Sequence, residues 1–310
     1  MALDKESLFY LSADQLDDVK PLKDVYDLSG KVAVVTGTVG LALHVIHRLA
    51  EMGAKVVCAG RSEEWGKLTV EVMQEKGYEV SFCRTDVSKV EDCYALVDFA
   101  EKTYGTVDIV VPVAATWSAR AFVDMKQEEL MKCLNVDLVG QYFTVQAAAR
   151  SMIRGGKGGK IVTISSVAYR GDDQPKVAMM TAYNAAKGGV VGMTKGIARE
   201  MKQYGINVNC VAPGGMLTPG ALDNLAGPAA LYGQEWSDVV TENGHLTPVC
   251  STPDEVALMI AALCTSVSDF MYGQVIDICG GSEFSFQEKP WSYTMEGGIP
   301  GPAGEALPEE

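Results

Sequence analysis

The arrangement of apolar residues constrains this chain more than any other feature. Seven short runs rich in β-branched side chains occur along it: VAVVTG from Val32, KVVCAG from Lys55, EVSFCRTD from Glu79, VDIVVPVAA from Val107, KIVTISS from Lys160, INVNCVAP from Ile206 and QVIDIC from Gln274. Between them lie longer amphipathic stretches: LALHVIHRLAEMG from Leu41, a segment ending near Lys76, Gln127 to Ile153, and Ala182 to Tyr204. Short apolar runs alternating with helical stretches predict parallel strands joined by crossover helices. The expected fold is a single α/β domain with a doubly wound, mainly parallel seven-stranded sheet and helices on both faces.

That domain is expected over residues 31–281, preceded by an extension over 1–30 and followed by a tail over 282–310 rich in Pro, Gly and Glu, which has too few apolar residues for a core of its own. The stretch 216–250 reads as an irregular insertion. Insertions at the carboxyl edge of such a sheet shape the ligand site.

Composition narrows the partners. Asp and Glu number 40 against 26 Lys and Arg, a formal charge of -14, which opposes sequence-independent attraction to nucleic acid or anionic lipid. The eight cysteines are scattered, without a CxxC pair, and read as small buried hydrophobes in a reducing compartment. The first twenty residues are charged throughout, and no apolar run approaches the ~20 residues of a membrane helix. A cytoplasmic protein acting on a small molecule is expected. No metal centre is expected, because His44 and His47 share the first helix while His245 is distant in sequence.

The first strand runs into Thr36-Gly37-Thr38-Val39-Gly40-Leu41-Ala42, and a helix follows at once. Glycines at such a junction let the backbone approach a pyrophosphate, whose charge is favoured by the exposed amides of the helix N-terminus. Gly37, Thr38, Gly40 and Leu41 are therefore candidate cofactor contacts. Further on, Tyr183-Asn184-Ala185-Ala186-Lys187 places a phenol and an ammonium on one helix face. An unperturbed tyrosine has a pKa of about 10, and a neighbouring ammonium favours its phenolate. By itself the YxxxK spacing also fits an ordinary surface helix.

With Ser166 seventeen positions before Tyr183, Asn135 in MKCLNVDLVG, Pro213-Gly214 followed by Thr218, and YGQVIDICGG at the close, the chain from Leu28 to Gly281 resembles the short-chain dehydrogenase/reductase (SDR) family in its compact, non-extended branch. The resemblance implies a Rossmann-type fold, an NAD(P) cofactor and hydride transfer between nicotinamide and a carbinol carbon while Tyr183 gives or takes the hydroxyl proton. It assigns Ser166 to the substrate oxygen, with Ser165 as competitor, Lys187 to Tyr183, and Asn135 to a water that continues a proton relay. It places Asp86 and Val87 at the adenine, Ala114 in the turn beside the cofactor, and Pro213, Gly214 and Thr218 at the nicotinamide carboxamide. For Asp86 a turn or cap, and for Asn135 a backbone-bonded helix residue, remain open.

Three departures from the family pattern are visible. The glycine loop is one residue short, with Ala42 where a glycine is expected; NNAG is replaced by Pro112-Val113-Ala114-Ala115, and Pro112 removes a donor. After the second strand, Ala59-Gly60-Arg61-Ser62 lacks the acidic residue that favours NAD. Arg61 with Ser62 suits a 2'-phosphate instead, so NADP(H) is the favoured cofactor, with NAD(H) possible.

Trp117, Tyr169 and Met216, with Leu217, Leu222, Leu225, Leu231, Tyr232 and Trp236, suggest an apolar aromatic pocket for a ring ketone or secondary alcohol such as a steroid or flavonoid. Packing of the insertion onto the domain is the plainer alternative for each. Asp172 and Asp173 leave a sugar or polyol dehydrogenase open, and the altered loops leave open a nucleotide-binding regulator without turnover. Small residues at Gly188, Gly189, Gly192 and Gly196 permit a close helix contact, within the chain or between copies in a homotetramer or dimer.

Overall fold

The structure is a computed structural model and describes residues 19–116, 120–171, 180–216, 218 and 251–281. Seven strands form one sheet, all parallel: β1 Val32–Thr36, β2 Lys55–Gly60, β3 Val80–Arg84, β4 Ile109–Pro112, β5 Gly159–Ile164, β6 Ile206–Pro213 and β7 Val275–Ile278, in the order β3-β2-β1-β4-β5-β6-β7. The chain winds from β1 outward through β2 to β3, then restarts on the other side at β4. That reversal opens a crevice beyond the carboxyl ends of β1 and β4, the usual ligand position in open α/β sheets.

The inner strands face two cores. In β1, Ala33 and Val35 point to one helix layer and Val34 to the other, all fully buried, which is why the run is apolar without alternation. The first layer is α1 (Leu41–Glu51) with α7 (Pro253–Leu263); the second is built from α3 (Val90–Tyr104), α5 (Gln141–Gly155) and the end of α6 (Thr181–Met201). Burying a valine such as Val34 contributes about 1.5–3 kcal/mol. Helix α2 (Glu63–Glu75) starts at Ser62, whose Oγ accepts from Trp65 N–H. Leu28 is already buried in this core, so the domain's packing begins just ahead of residue 31.

Two helices escape the strand-and-helix alternation of the sequence. In α3 the buried side chains Cys93, Leu96, Val97 and Ala100 recur at helical spacing, and Gly105 closes it in the left-handed region with φ 86. Helix α7 opens on a capping box between Thr252 and Glu255, with Pro253 at its start. The stretch expected as one helix from Gln127 to Ile153 is broken: α4 (Gln127–Leu134) gives way to a π-helical turn over Asn135–Gly140 before α5 begins. π turns of this kind recur at functional sites.

Trp117, Asp172, Asp173, Leu217, Leu222, Leu225, Leu231, Tyr232, Trp236 and His245 lie outside the described residues, as do the tail and nearly all of the insertion.

Candidate active site

The site is built where β4, β5, the π turn and α6 converge. Tyr183 and Lys187 sit one turn apart on α6, and the Lys187 Nζ lies 5.2 Å from the centre of the Tyr183 ring. Lys187 is only 1% exposed. Its ammonium carries three donors; one goes to Ile164 O at 3.1 Å at the end of β5, and another faces Asp137 Oδ1 at 3.3 Å. The third has no partner among the described residues.

Asn135 is the residue to which the family resemblance gives a relay water rather than a direct contact with Lys187. It opens the π turn, and the side chain that meets the ammonium is Asp137, two positions on and fully buried. The other Asp137 oxygen accepts from the Thr116 N–H at 3.0 Å, which ties the loop after β4 to the π turn. The Asp137–Lys187 contact is a charge pair without hydrogen-bond alignment, because Oδ1 has no aligned donor. Burial pushes the Asp137 carboxyl above the ordinary carboxylate range, against the pull of Lys187 and the Thr116 amide. Burial works against the Lys187 ammonium too, yet Tyr183 and Asp137 together hold its pKa above that of a free lysine.

Gln141 is a second residue that the sequence did not single out. Its carboxamide takes the Ile164 N–H at 3.1 Å and donates to Ile164 O at 2.8 Å and Asp137 O at 3.1 Å. A single buried side chain thereby fixes both backbone groups of Ile164, the acceptor of Lys187. Its signal in the sequence was only a polar residue at the inward face of an otherwise apolar helix.

The two serines separate cleanly. Ser165 is buried and donates to Lys187 O at 2.9 Å, anchoring α6. Ser166 is half-buried, and its Oγ accepts from Ala168 N–H at 3.3 Å at the start of the turn Val167–Arg170. The proton of the Ser166 hydroxyl has no acceptor among the described residues, so it can be donated to a ligand oxygen. Tyr169 is placed differently, since its hydroxyl is engaged by Asp277 and Arg170, at 3.4 and 3.3 Å. Met216 packs on the core and bridges to Ser251.

At the other end of the crevice, Gly37 has φ 103, and a Cβ there would stand 2.7 Å from the Cβ of Ala42. The alanine in place of the family's glycine therefore packs directly against Gly37. Gly40, φ 58, precedes Leu41 as the cap of α1 and gives no side-chain bond to the helix amides. Thr38 O accepts from Thr69 Oγ1 at 2.9 Å, and a Cβ on Gly40 would lie 3.5 Å from the Thr218 side chain, which stands against the glycine turn. Gly214 N–H donates to Ile278 O at 2.8 Å beside Pro213 in β6.

The turn after β4 is held without asparagines. Ala114 N–H donates to Thr36 Oγ1 at 3.0 Å. The β4–β5 ladder ends at Val110 and Ile161, and Pro112, with no N–H to offer, lies just beyond. Val87 packs so tightly on Gly140 that a Cβ at 140 would fall 2.7 Å from Val87 O. Asp86 accepts from Ser88 N–H and Oγ–H at 3.1 and 2.7 Å. The Ser88 hydroxyl, with smaller help from Arg61, keeps its carboxyl below the ordinary range. Arg61 and Ser62 are exposed, and Arg61 forms no ion pair among the described residues.

With this geometry in place, the comparisons with known proteins fall on one family. Residues 31–226 match the family model of the short chain dehydrogenases. The chain belongs to the short chain dehydrogenase family. The 3-oxoacyl-acyl-carrier-protein reductase FabG of Chlamydia muridarum is 34% identical over 260 residues, spanning 82% of this chain and 98% of that protein. The NADP-dependent (R)-specific alcohol dehydrogenase of Lentilactobacillus kefiri is 32% identical, spanning 82% and 97%. The solved structure of an actinorhodin polyketide ketoreductase variant with NADPH superposes with a TM-score of 0.75 at 29% identity, over 81% of this chain and 96% of that one. As a family member the chain is an NAD(P)-dependent oxidoreductase, and its relatives include ketoreductases.

The residues present fit such a dinucleotide. Two left-handed glycines leave the α1 amides uncovered for a pyrophosphate, Asp86 keeps an oxygen not engaged by Ser88, and the third Lys187 donor is available to a ribose hydroxyl. The bound nicotinamide supplies the hydride chemistry. Among the described residues no helix is long and apolar enough to cross a membrane.

Proposed function

We propose that this short chain dehydrogenase is an NADP-linked reductase of an apolar ring ketone, also able to oxidise the corresponding secondary alcohol. The observation that carries the reaction type is the trio of Tyr183, buried Lys187 and Ser166 with its uncommitted hydroxyl proton. In this reading Ser166 donates to the carbonyl oxygen and orients it, while the Tyr183 hydroxyl gives that oxygen its proton. Acid–base help of this kind contributes about two to four powers of ten in rate. Lys187, fixed by Ile164 and Asp137, holds positive charge below the Tyr183 ring.

NADP(H) is favoured over NAD(H) because β2 ends without a carboxylate and Arg61 is exposed there, with no ion pair among the described residues. The names of the NADP-dependent alcohol dehydrogenase and the NADPH-bound ketoreductase support the same choice. Trp117, Met216, the ring of Tyr169 and the insertion over 216–250 would line the substrate end. Among the described residues nothing lies within 4 Å of where a Cβ on Gly192 or Gly196 would stand, so this face of α6 has room for a second copy. A cytoplasmic homo-oligomer completes the proposal.

The test follows nicotinamide absorbance with NADPH and NADH over steroid, flavonoid, aryl and sugar ketones. NADPH oxidation with a ring ketone is the expected result. Turnover confined to sugar ketones would replace the substrate class, and cofactor binding without turnover of any ketone or alcohol would favour a regulator.

A further inference from the structure

The buried charges around Tyr183 do not add up to a lone cation. Lys187 and Asp137 are 1% and 0% exposed, respectively, and 3.3 Å apart. Neither can be screened by water, so the field each makes at a neighbouring ring is strong, and the two fields oppose each other. The other titratable groups packed on the pair come from separate elements. Cys133 lies on α4, its Sγ 3.8 Å from Asp137 Oδ2, and Cys210 lies on β6. Burial pushes the Cys133 thiol up to about 12, with Asp137 adding to the shift, and burial also raises Cys210. Burial disfavours the thiolate at both cysteines, so among the described residues the charged groups of the cluster are Lys187, Asp137 and Tyr183.

We infer that Asp137 is a positioning residue that balances Lys187, so that Tyr183 keeps its proton to higher pH than a lysine alone would allow. The inference rests on the reading of Tyr183 as the proton donor. An uncompensated ammonium beside a tyrosine favours the phenolate, whereas a buried ion pair presents only a dipole. The protonated phenol is the form that can give a proton to a carbonyl oxygen, so the pair biases the site toward reduction at neutral pH. Asp137 is well held for this task. The Thr116 amide fixes one oxygen, and the Gln141 carboxamide bonds the Asp137 carbonyl and both backbone groups of Ile164.

The experiment is an ultraviolet titration of phenolate on the whole chain, with the Tyr183 contribution isolated by subtracting the Tyr183→Phe protein. It is run on native protein and on Asp137→Asn, beside the pH dependence of ketone reduction. Removing the carboxylate is expected to lower the Tyr183 midpoint by about one pH unit or more, to move the alkaline fall in reduction rate down with it, and to be reversed in Asp137→Glu. Asp137→Ser, which leaves room for water beside Lys187, reads the same charge if the Asn variant does not fold. An unchanged midpoint in either folded variant overturns the inference. Because the titration needs no substrate, a midpoint that moves in a chain without turnover refutes the reductase reading alone.

Discussion

The two ends of the crevice are made in different ways. At the chemical end, Lys187, Asp137 and Gln141 are all at most 2% exposed and tied to backbone groups of Ile164, Thr116 and Asp137 itself. At the nucleotide end, Arg61 and Ser62 stand in solvent, and the Asp86 carboxylate is bonded by its near neighbour Ser88. Buried polar groups are strong because nothing competes with them, and for the same reason they are costly to leave unpaired. Exposed groups choose between ligands while contributing little to the fold. Changes at the first end should therefore disturb stability and turnover together, and changes at the exposed side chains of the second should alter cofactor preference alone.

The sharpest test of that contrast is Lys187→Met. It leaves the Asp137 carboxylate buried without its partner, a loss expected to cost about 3–5 kcal/mol in urea unfolding, and reduction should cease. Next in size is Gly37→Val, which forces a branched side chain into φ 103 and against Ala42. Strain and crowding of about 1–3 kcal/mol each should lower the melting temperature by several degrees and weaken NADPH binding measured by calorimetry.

Gln141→Leu keeps the volume but strands the Ile164 amide. A loss of about 1–3 kcal/mol is expected, with a fall in kcat larger than any change in KM for the ketone. Arg61→Ala should be silent in the melt while raising KM for NADPH about tenfold, equivalent to one charge-assisted contact of about 1.4 kcal/mol, and leaving NADH unaffected. A destabilised Arg61→Ala, or a Gln141→Leu that melts like the native protein, would erase the distinction between the two ends.

The same contrast explains what could be read from sequence. Strands were legible because both faces of β1 are buried, leaving an apolar run with no alternation to confuse it. Tyr183 and Lys187 were legible because four residues on an unbroken helix return to the same face. Helix α3 was harder to see, since VEDCYALVDFAEKTY carries its apolar stripe among many charges. Asp137 was hidden for a definite reason: a six-residue π turn begins at Asn135 and changes which side chains face α6. Residue type cannot reveal that change of phase. Gln141 and Thr116 act through backbone groups of distant segments, a dependence that appears only once β5 and the π turn are in space. The loop after β4 shows the converse: NNAG is absent, yet Thr36 Oγ1 secures the Ala114 amide across the sheet.

The central claim is that the Tyr183 hydroxyl supplies the proton. It is tested most directly by measuring NADPH-dependent ketone reduction in Tyr183→Phe together with the NADPH dissociation constant. Turnover lower by about a hundredfold or more, with the dissociation constant within a few-fold of native, is the predicted result. Near-native turnover in the phenylalanine variant would contradict the claim.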